Sequence, residues 1–278
     1  MSNRNTQSNK QAARTRLRAE RERQKKKESV RWQLIAGGAL VAVLAVAGAI
    51  GVAVATSGGE SAGGDPWAKA SNAELVRPAH TTGRNGTDLV IGKKDATHTL
   101  TLFADPRCPF CATLDQNLNE TIQKDVSTGK YKVSFRLGTF LDDGTRGTGS
   151  KNALSAMGAA LDVGTDAFLS YKSALFSKEY HPEEAGPDKF ADNEYLLKVA
   201  DTVPALKGNA KFRDAVKSGT YRRWVLEVSK RFDSFKVPTP TVKLDGKVLG
   251  TDTPNGKAAP FSPGAFNAEV DKAMKAKL

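Results

Sequence analysis

A chain of 278 residues carrying a formal charge of +12 has room for one good-sized domain with appendages, but not for two large ones. Such a charge would suggest nucleic acid if it covered the fold. Residues 1–33, however, hold eleven Lys/Arg against three Glu, and Trp32 is the only aromatic among them, so most of the basicity is a tail and argues against nucleic-acid binding.

Directly after the basic tail (1–33), Leu34 to Ala55 is a run of 22 residues with no charge or strong polar group. At 1.5 Å per residue, about 20 residues cover a hydrocarbon core of roughly 30 Å, so 34–55 is predicted to be a transmembrane anchor. The flank from Arg14 to Arg31 lies on its N-terminal side, where excess Lys/Arg marks the cytoplasmic end and can also touch anionic lipid. A cleaved signal peptide is the rival, since Ala53-Val54-Ala55 has the small-x-small pattern. The apolar run is longer than the usual ~7–15-residue signal core, which favours a retained, single-pass signal-anchor in a cell membrane. Both readings put the remaining chain outside the cytoplasm, where disulfides form and persist.

Residues 56–88 are rich in Gly, Ser, Asn and Thr and are expected to be a flexible linker. The first segment that reads as folded is Leu89-Val90-Ile91. After a polar turn, His98 to Asp105 alternates with β-branched residues and is predicted to be a strand. Phe110, Leu114, Leu118, Ile122 and Val126 then recur every four residues, a helical stripe with Pro109 in its first turn. Tyr131 to Leu137 alternates again. From about residue 148 to 235 the pattern is helical, with Asp192, Asp201 and Gly219 as caps or breaks. Thr241-Val242-Lys243-Leu244, Asp245-Gly246 and Lys247-Val248-Leu249 spell a hairpin. Ser262-Pro263 opens a last helix continued by Phe266, Val270 and Met274.

The chain has only two cysteines, Cys108 and Cys111, at the junction of a predicted strand and helix. At a helix N-terminus, unpaired N–H groups and the helix dipole stabilise a thiolate, making Cys108 the nucleophile candidate and Cys111 its shielded partner. Zinc needs four ligands, and His80, His98 and His181 offer no paired metal spacing. An inert structural disulfide would close too short a loop to constrain the unfolded chain much. Redox chemistry is the reading that remains best supported, with no cofactor and no metal.

Phe103-Ala104-Asp105-Pro106-Arg107-Cys108-Pro109-Phe110-Cys111, the Ser150-x-x-Ala153 helix leading to Phe168-x-x-Tyr171 and Leu175-Phe176, and Thr239-Pro240-Thr241 together resemble the DsbA-like family. The resemblance covers roughly 89–278 and implies an α/β thioredoxin fold with a helical insertion. It implies that Pro240 is a cis-proline facing the cysteines, that Thr239 packs there and contacts the client, and that Pro109 and Phe110 join it. Pro238 is the alternative, less favoured because Pro240 immediately begins the strand.

Activity follows the same resemblance: a protein disulfide oxidoreductase acting on thiol or disulfide clients, reoxidised by a membrane partner of the DsbB or vitamin K epoxide reductase type. Phe110 departs from the family's best-known oxidants, which carry His there and thereby hold the thiolate. Arg107 is expected to replace part of that positive potential or to be an exposed loop cation. Two other functions compete: a reductase or isomerase fed with electrons across the membrane, and a tethered chaperone with incidental cysteines.

Overall fold

The computed structural model describes residues 65–145, 147–183, 186–254 and 256–275; the basic tail, the 34–55 segment and the start of the 56–88 linker lie outside the described residues. Among the described residues no helix is long and apolar enough to cross a membrane.

The described chain opens with α1 (Pro66–Ala70), β1 (Thr81–Thr82), a 3₁₀ turn at Arg84–Gly86 and β2 (Asp88–Ile91). Here the linker expectation is corrected, because the segment from Asp65 to Asp88 is built into the domain. Asp65 caps α1 through Trp67 N–H (2.9 Å), and Trp67 is buried. Trp224 donates its indole N–H to the Gly86 carbonyl at 2.8 Å, while Asp162 accepts Ala79 N–H at 2.7 Å. Gly/Ser/Asn-rich composition concealed one aromatic anchor and these long-range polar contacts.

The centre is β3 (Thr99–Ala104), α2 (Pro109–Thr128) and β4 (Lys132–Leu137). The two strands are parallel, which requires a crossover, and α2 supplies it. Its stripe Leu114, Leu118, Ile122 and Val126 is buried against the sheet, each residue contributing about 1.5–3 kcal/mol. The helix stops at Gly129, whose φ of +84° is open to glycine, with Lys130 N–H closing onto Asp125 O at 2.9 Å.

Six helices follow: α3 (Phe140–Thr145), α4 (Gly149–Val163), α5 (Thr165–Leu175), α6 (Asn193–Ala200), α7 (Ala210–Ser218) and α8 (Arg222–Asp233). The helical stretch therefore begins at Phe140, earlier than 148, because Phe-Leu-Asp-Asp-Gly-Thr is too short and too polar to show a helical period. Asp192 and Asn209 cap α6 and α7 by accepting Glu194 and Phe212 N–H.

The chain returns to the sheet with β5 (Thr241–Leu244) and β6 (Lys247–Val248), then forms a separate hairpin, β7 (Thr251–Thr253) with β8 (Gly256–Ala258), and ends in α9 (Pro263–Lys275). Asp245 and Gly246 both have positive φ (49° and 86°), the geometry an Asp-Gly hairpin turn demands. Sheet order is β1-β2-β4-β3-β5-β6, with every pair except β3–β4 antiparallel. Register puts Leu100, Leu102, Val133, Phe135, Val242 and Leu244 on one face, packed in the main core with Phe168, Leu154 and Tyr171. Thr101, Phe103, Ser134, Arg136, Thr241 and Lys243 lie on the other.

Candidate active site

Parallel strand β3 delivers the chain to the N-terminus of α2. Cys108 is the N-cap, with extended backbone (φ −69°, ψ 116°), and its Sγ accepts Cys111 N–H at 3.4 Å. Pro109 fills the first helical position, where its missing N–H has no partner to lose. Both cysteines are reduced and buried. The loop before β5 closes over them: the Thr239–Pro240 peptide bond is cis, and Thr239 Oγ1 donates to Cys108 Sγ at 3.6 Å. Cys108, Cys111, Thr239 and Pro240 thus meet at one point, while Phe110, Phe176, Leu141 and Ala104 pack around the cysteines.

The two thiols are driven apart in acidity. Cys108 lies below its ordinary value because the Cys111 thiol donates to it first of all, with Thr239 hydroxyl and Cys111 N–H adding to this against burial and the charge of Asp105. Cys111 is pushed well up, chiefly by burial and then by its role as donor to Cys108. One sulfur is prepared as a nucleophile or leaving group and the other is held as a thiol.

Behind the pair stands a buried polar network that the sequence did not announce. Asp105 is fully buried; it accepts Arg107 N–H (2.9 Å), Ser150 Oγ–H (2.6 Å) and Leu141 N–H (3.1 Å), and burial raises its carboxyl to about 6. Asp142, also buried, accepts the N–H groups of Ser150 (2.8 Å) and Lys151 (2.9 Å) at the start of α4. Asp188 takes those of Thr148 and Gly149, both at 3.0 Å. Carboxylates are favoured at such a helix N-terminus. Asp188 comes so close that a Cβ on residue 149 would lie 1.9 Å from it, so a side chain there would displace the carboxylate that caps α4.

The expectation for Arg107 is corrected by this network. It is neither an exposed loop cation nor a counter-charge for Cys108, because its buried guanidinium is taken up by Asp142 (3.3 Å), Asp188 (3.3 Å) and Thr145 (2.8 Å). A buried and a half-buried carboxylate hold its charge.

His181 enters from the loop after α5. Its Nε2 donates to the Pro106 carbonyl at 3.1 Å, and its ring stacks on Phe176 and meets Phe190 edge-on. Burial lowers it to about 4, so it is neutral near pH 7. Sequence spacing gave it no role beyond a weighed zinc ligand, since nothing in a one-dimensional pattern ties it to Pro106. Among the described residues no group of three or more His, Cys, Asp or Glu side chains is arranged for a metal ion.

Residues 84–258, more than half of the chain, match the thioredoxin family. The chain belongs to the thioredoxin family. Within this thioredoxin-family chain the cysteine helix, the cis Thr239–Pro240 peptide and the helices inserted between β4 and β5 lie where the DsbA-like resemblance places them. Serine/threonine-protein kinase PknE of Mycobacterium tuberculosis is 30% identical over 120 residues, 41% of this chain but 20% of the kinase, so the chain spans about a fifth of that relative's length. Disulfide bond formation protein D of Bacillus subtilis is 26% identical over 162 residues, 58% of this chain and 68% of that protein. Among solved structures, reduced DsbG of Mycobacterium tuberculosis superposes with a TM-score of 0.53 at 24% identity, covering 66% of this chain and 83% of that one.

Proposed function

We propose that the protein is a thiol-disulfide oxidoreductase that introduces disulfides into secreted or cell-envelope proteins from a position anchored outside the cytoplasm. The observation that carries this reading is the opposed acidity of the two thiols at the head of α2, with Thr239 hydrogen-bonded to the sulfur of Cys108. In the oxidised form a client thiolate attacks Cys108 Sγ, the Cys108–Cys111 bond breaks, and Cys111 leaves as a thiolate that takes up a proton. A second client thiolate then attacks the client sulfur of the mixed disulfide and expels Cys108 as the thiolate. The client loses two electrons and the pair gains them. A more acidic leaving thiol, with a lower pKa, speeds the second step, which is the use of the N-cap position. Reoxidation falls to a quinone-linked membrane partner of the DsbB or vitamin K epoxide reductase type.

One observation favours the reverse direction. Phe110 supplies no charge or hydrogen bond to Cys108, and the charge of Asp105 pushes the Cys108 thiol up rather than down, both of which weaken the thiolate of the reduced form. The reduction potential of the full chain, equilibrated with glutathione or dithiothreitol, decides between them. A value of about −120 to −180 mV supports disulfide donation, and one near about −270 mV overturns it in favour of an electron-fed reductase.

A further inference from the structure

The second face of the sheet is only partly covered beside the cis-proline loop, with Phe103, Ser134 and Thr241 buried, and its chemistry is one-sided. Phe103, directly opposite Thr241 in the β3–β5 register, meets Phe235 (5.3 Å) and Phe232 (6.2 Å), which cover its upper end. Below them Thr101, Arg136 and Lys243 remain half-buried. Cations crowd this aromatic floor: the guanidinium carbons of Arg231 and Arg136 lie 4.8 and 5.4 Å from the Phe235 ring centre, and Lys243 Nζ lies 5.1 Å from that of Phe103. Lys236, exposed three residues before Thr239, is held with a left-handed backbone, φ +51°.

Carboxylates do not balance them. Asp88 is paired with Arg136, and Asp143 with Lys151. Asp245, two residues on from Lys243, is paired with His98 and accepts Thr99 N–H, and Asp233, exposed at the end of α8, lies near enough to Asp143 for the two acids to repel. Arg231, Lys236 and Lys243 pair with no carboxylate among the described residues. An aromatic floor with cations above it and no counter-charge fits a segment that brings its own carboxylates.

We propose that this face, continuous with Thr239 and Pro240, docks clients whose cysteine is followed or preceded by acidic side chains. The proposal rests on the disulfide-exchange reading and names its substrate class. Lys243 lies four residues along from Thr239, roughly 13 Å at about 3.3 Å per residue, so acidic groups three or four positions from the client cysteine are the ones selected.

The test uses the full chain with Cys111→Ser, Cys108 being loaded as a mixed disulfide with thionitrobenzoate. Two single-cysteine peptides, one with Glu and one with Gln at those positions, displace the dye, each rate being divided by the same peptide's rate on a glutathione–thionitrobenzoate disulfide. The expected result is an acidic peptide faster by about fivefold at low ionic strength, with the advantage lost at ~0.5 M salt and in the Arg231→Glu, Lys236→Glu chain. Equal corrected rates, or a preference that survives charge reversal, overturns the proposal. If neither peptide exchanges at all, it is the disulfide-exchange reading that fails. Docking is then read directly by fluorescence anisotropy of the same peptides with Ser for Cys, where equal affinity of the Glu and Gln peptides sinks it and tighter binding of the Glu peptide upholds it.

Discussion

The two flanks of Cys108 are built in opposite ways. On one side Asp105, Arg107, Asp142, Ser150 and His181 form a buried network in which donors and acceptors satisfy one another. On the other, Phe140, Arg231 and Lys236 are exposed beside the half-buried Phe235, and the cations find no carboxylate among the described residues. Buried polar groups are costly unless paired, so the first flank supports the cysteine loop, and through the charge of Asp105 it also acts on Cys108. Exposed aromatics with uncompensated charge stabilise a fold little, which leaves the second flank free to serve a partner.

The sharpest way to break that contrast is Arg107→Ala. Its removal leaves Asp142 and Asp188 beside the start of α4 without their cation, and stranding one partner of a buried ion pair costs about 3–5 kcal/mol. Urea unfolding should show the loss, while Arg231→Ala on the open flank should stay within about 0.5 kcal/mol of the parent. Equal losses at the two sites would mean that the flanks are not different in kind.

A subtler contrast lies inside the buried flank, where two groups titrate against each other. Asp105 is raised from 3.8 to about 6, so the folded state holds a proton the unfolded chain has lost; its contribution to stability is full below pH ~4 and disappears as pH rises through about 6. His181 is lowered from 6.5 to about 4, so its contribution is full above pH ~6.5 and disappears as pH falls through about 4. Each shift of about two units is worth about 3 kcal/mol, in opposite directions over the same window. Asp105→Asn should therefore make stability fall on acidification from pH ~6.5 to ~4. His181→Gln, which keeps a donor for the Pro106 carbonyl, should make it rise. Urea midpoints at the two ends of that window check both signs, and a slope unchanged from the parent in both variants would refute the assignment.

What could be read in advance follows the same division. Strands β3 and β4, helix α2 and its cysteines were legible because Leu114, Leu118, Ile122 and Val126 keep a period set by burial, and alternation in Tyr131 to Leu137 keeps another. Asp245-Gly246 was legible because a hairpin turn needs positive φ. By contrast, Asp142 and Asp188 look like surface acids in the sequence; each is defined by the distant Arg107 and by N–H groups at the head of α4, which no local pattern encodes. The packing of Trp67 and Gly86 onto α8 was hidden for the same reason, since low-complexity composition describes the chain and not its partners.

A modest effect on stability should come from the open flank's own aromatic. Phe140 is 39% exposed and stacks on Phe232 at 6.1 Å and 12°, whereas Phe232 is buried against Phe103 and so close to Gly138 that a Cβ there would lie 2.6 Å from its ring. Phe140→Ala removes a half-solvated ring and one stacked pair, a loss of about 1 kcal/mol, where Phe232→Ala would open a cavity costing about 3–5 kcal/mol. If the exposed ring exists for clients, Phe140→Ala should raise KM for a peptide substrate several-fold while leaving the reduction potential of the cysteine pair unmoved, because the ring touches neither sulfur. A shifted potential with unchanged KM would place Phe140 with the buried flank instead, as part of the support of Leu141 and the cysteines rather than of the surface they present.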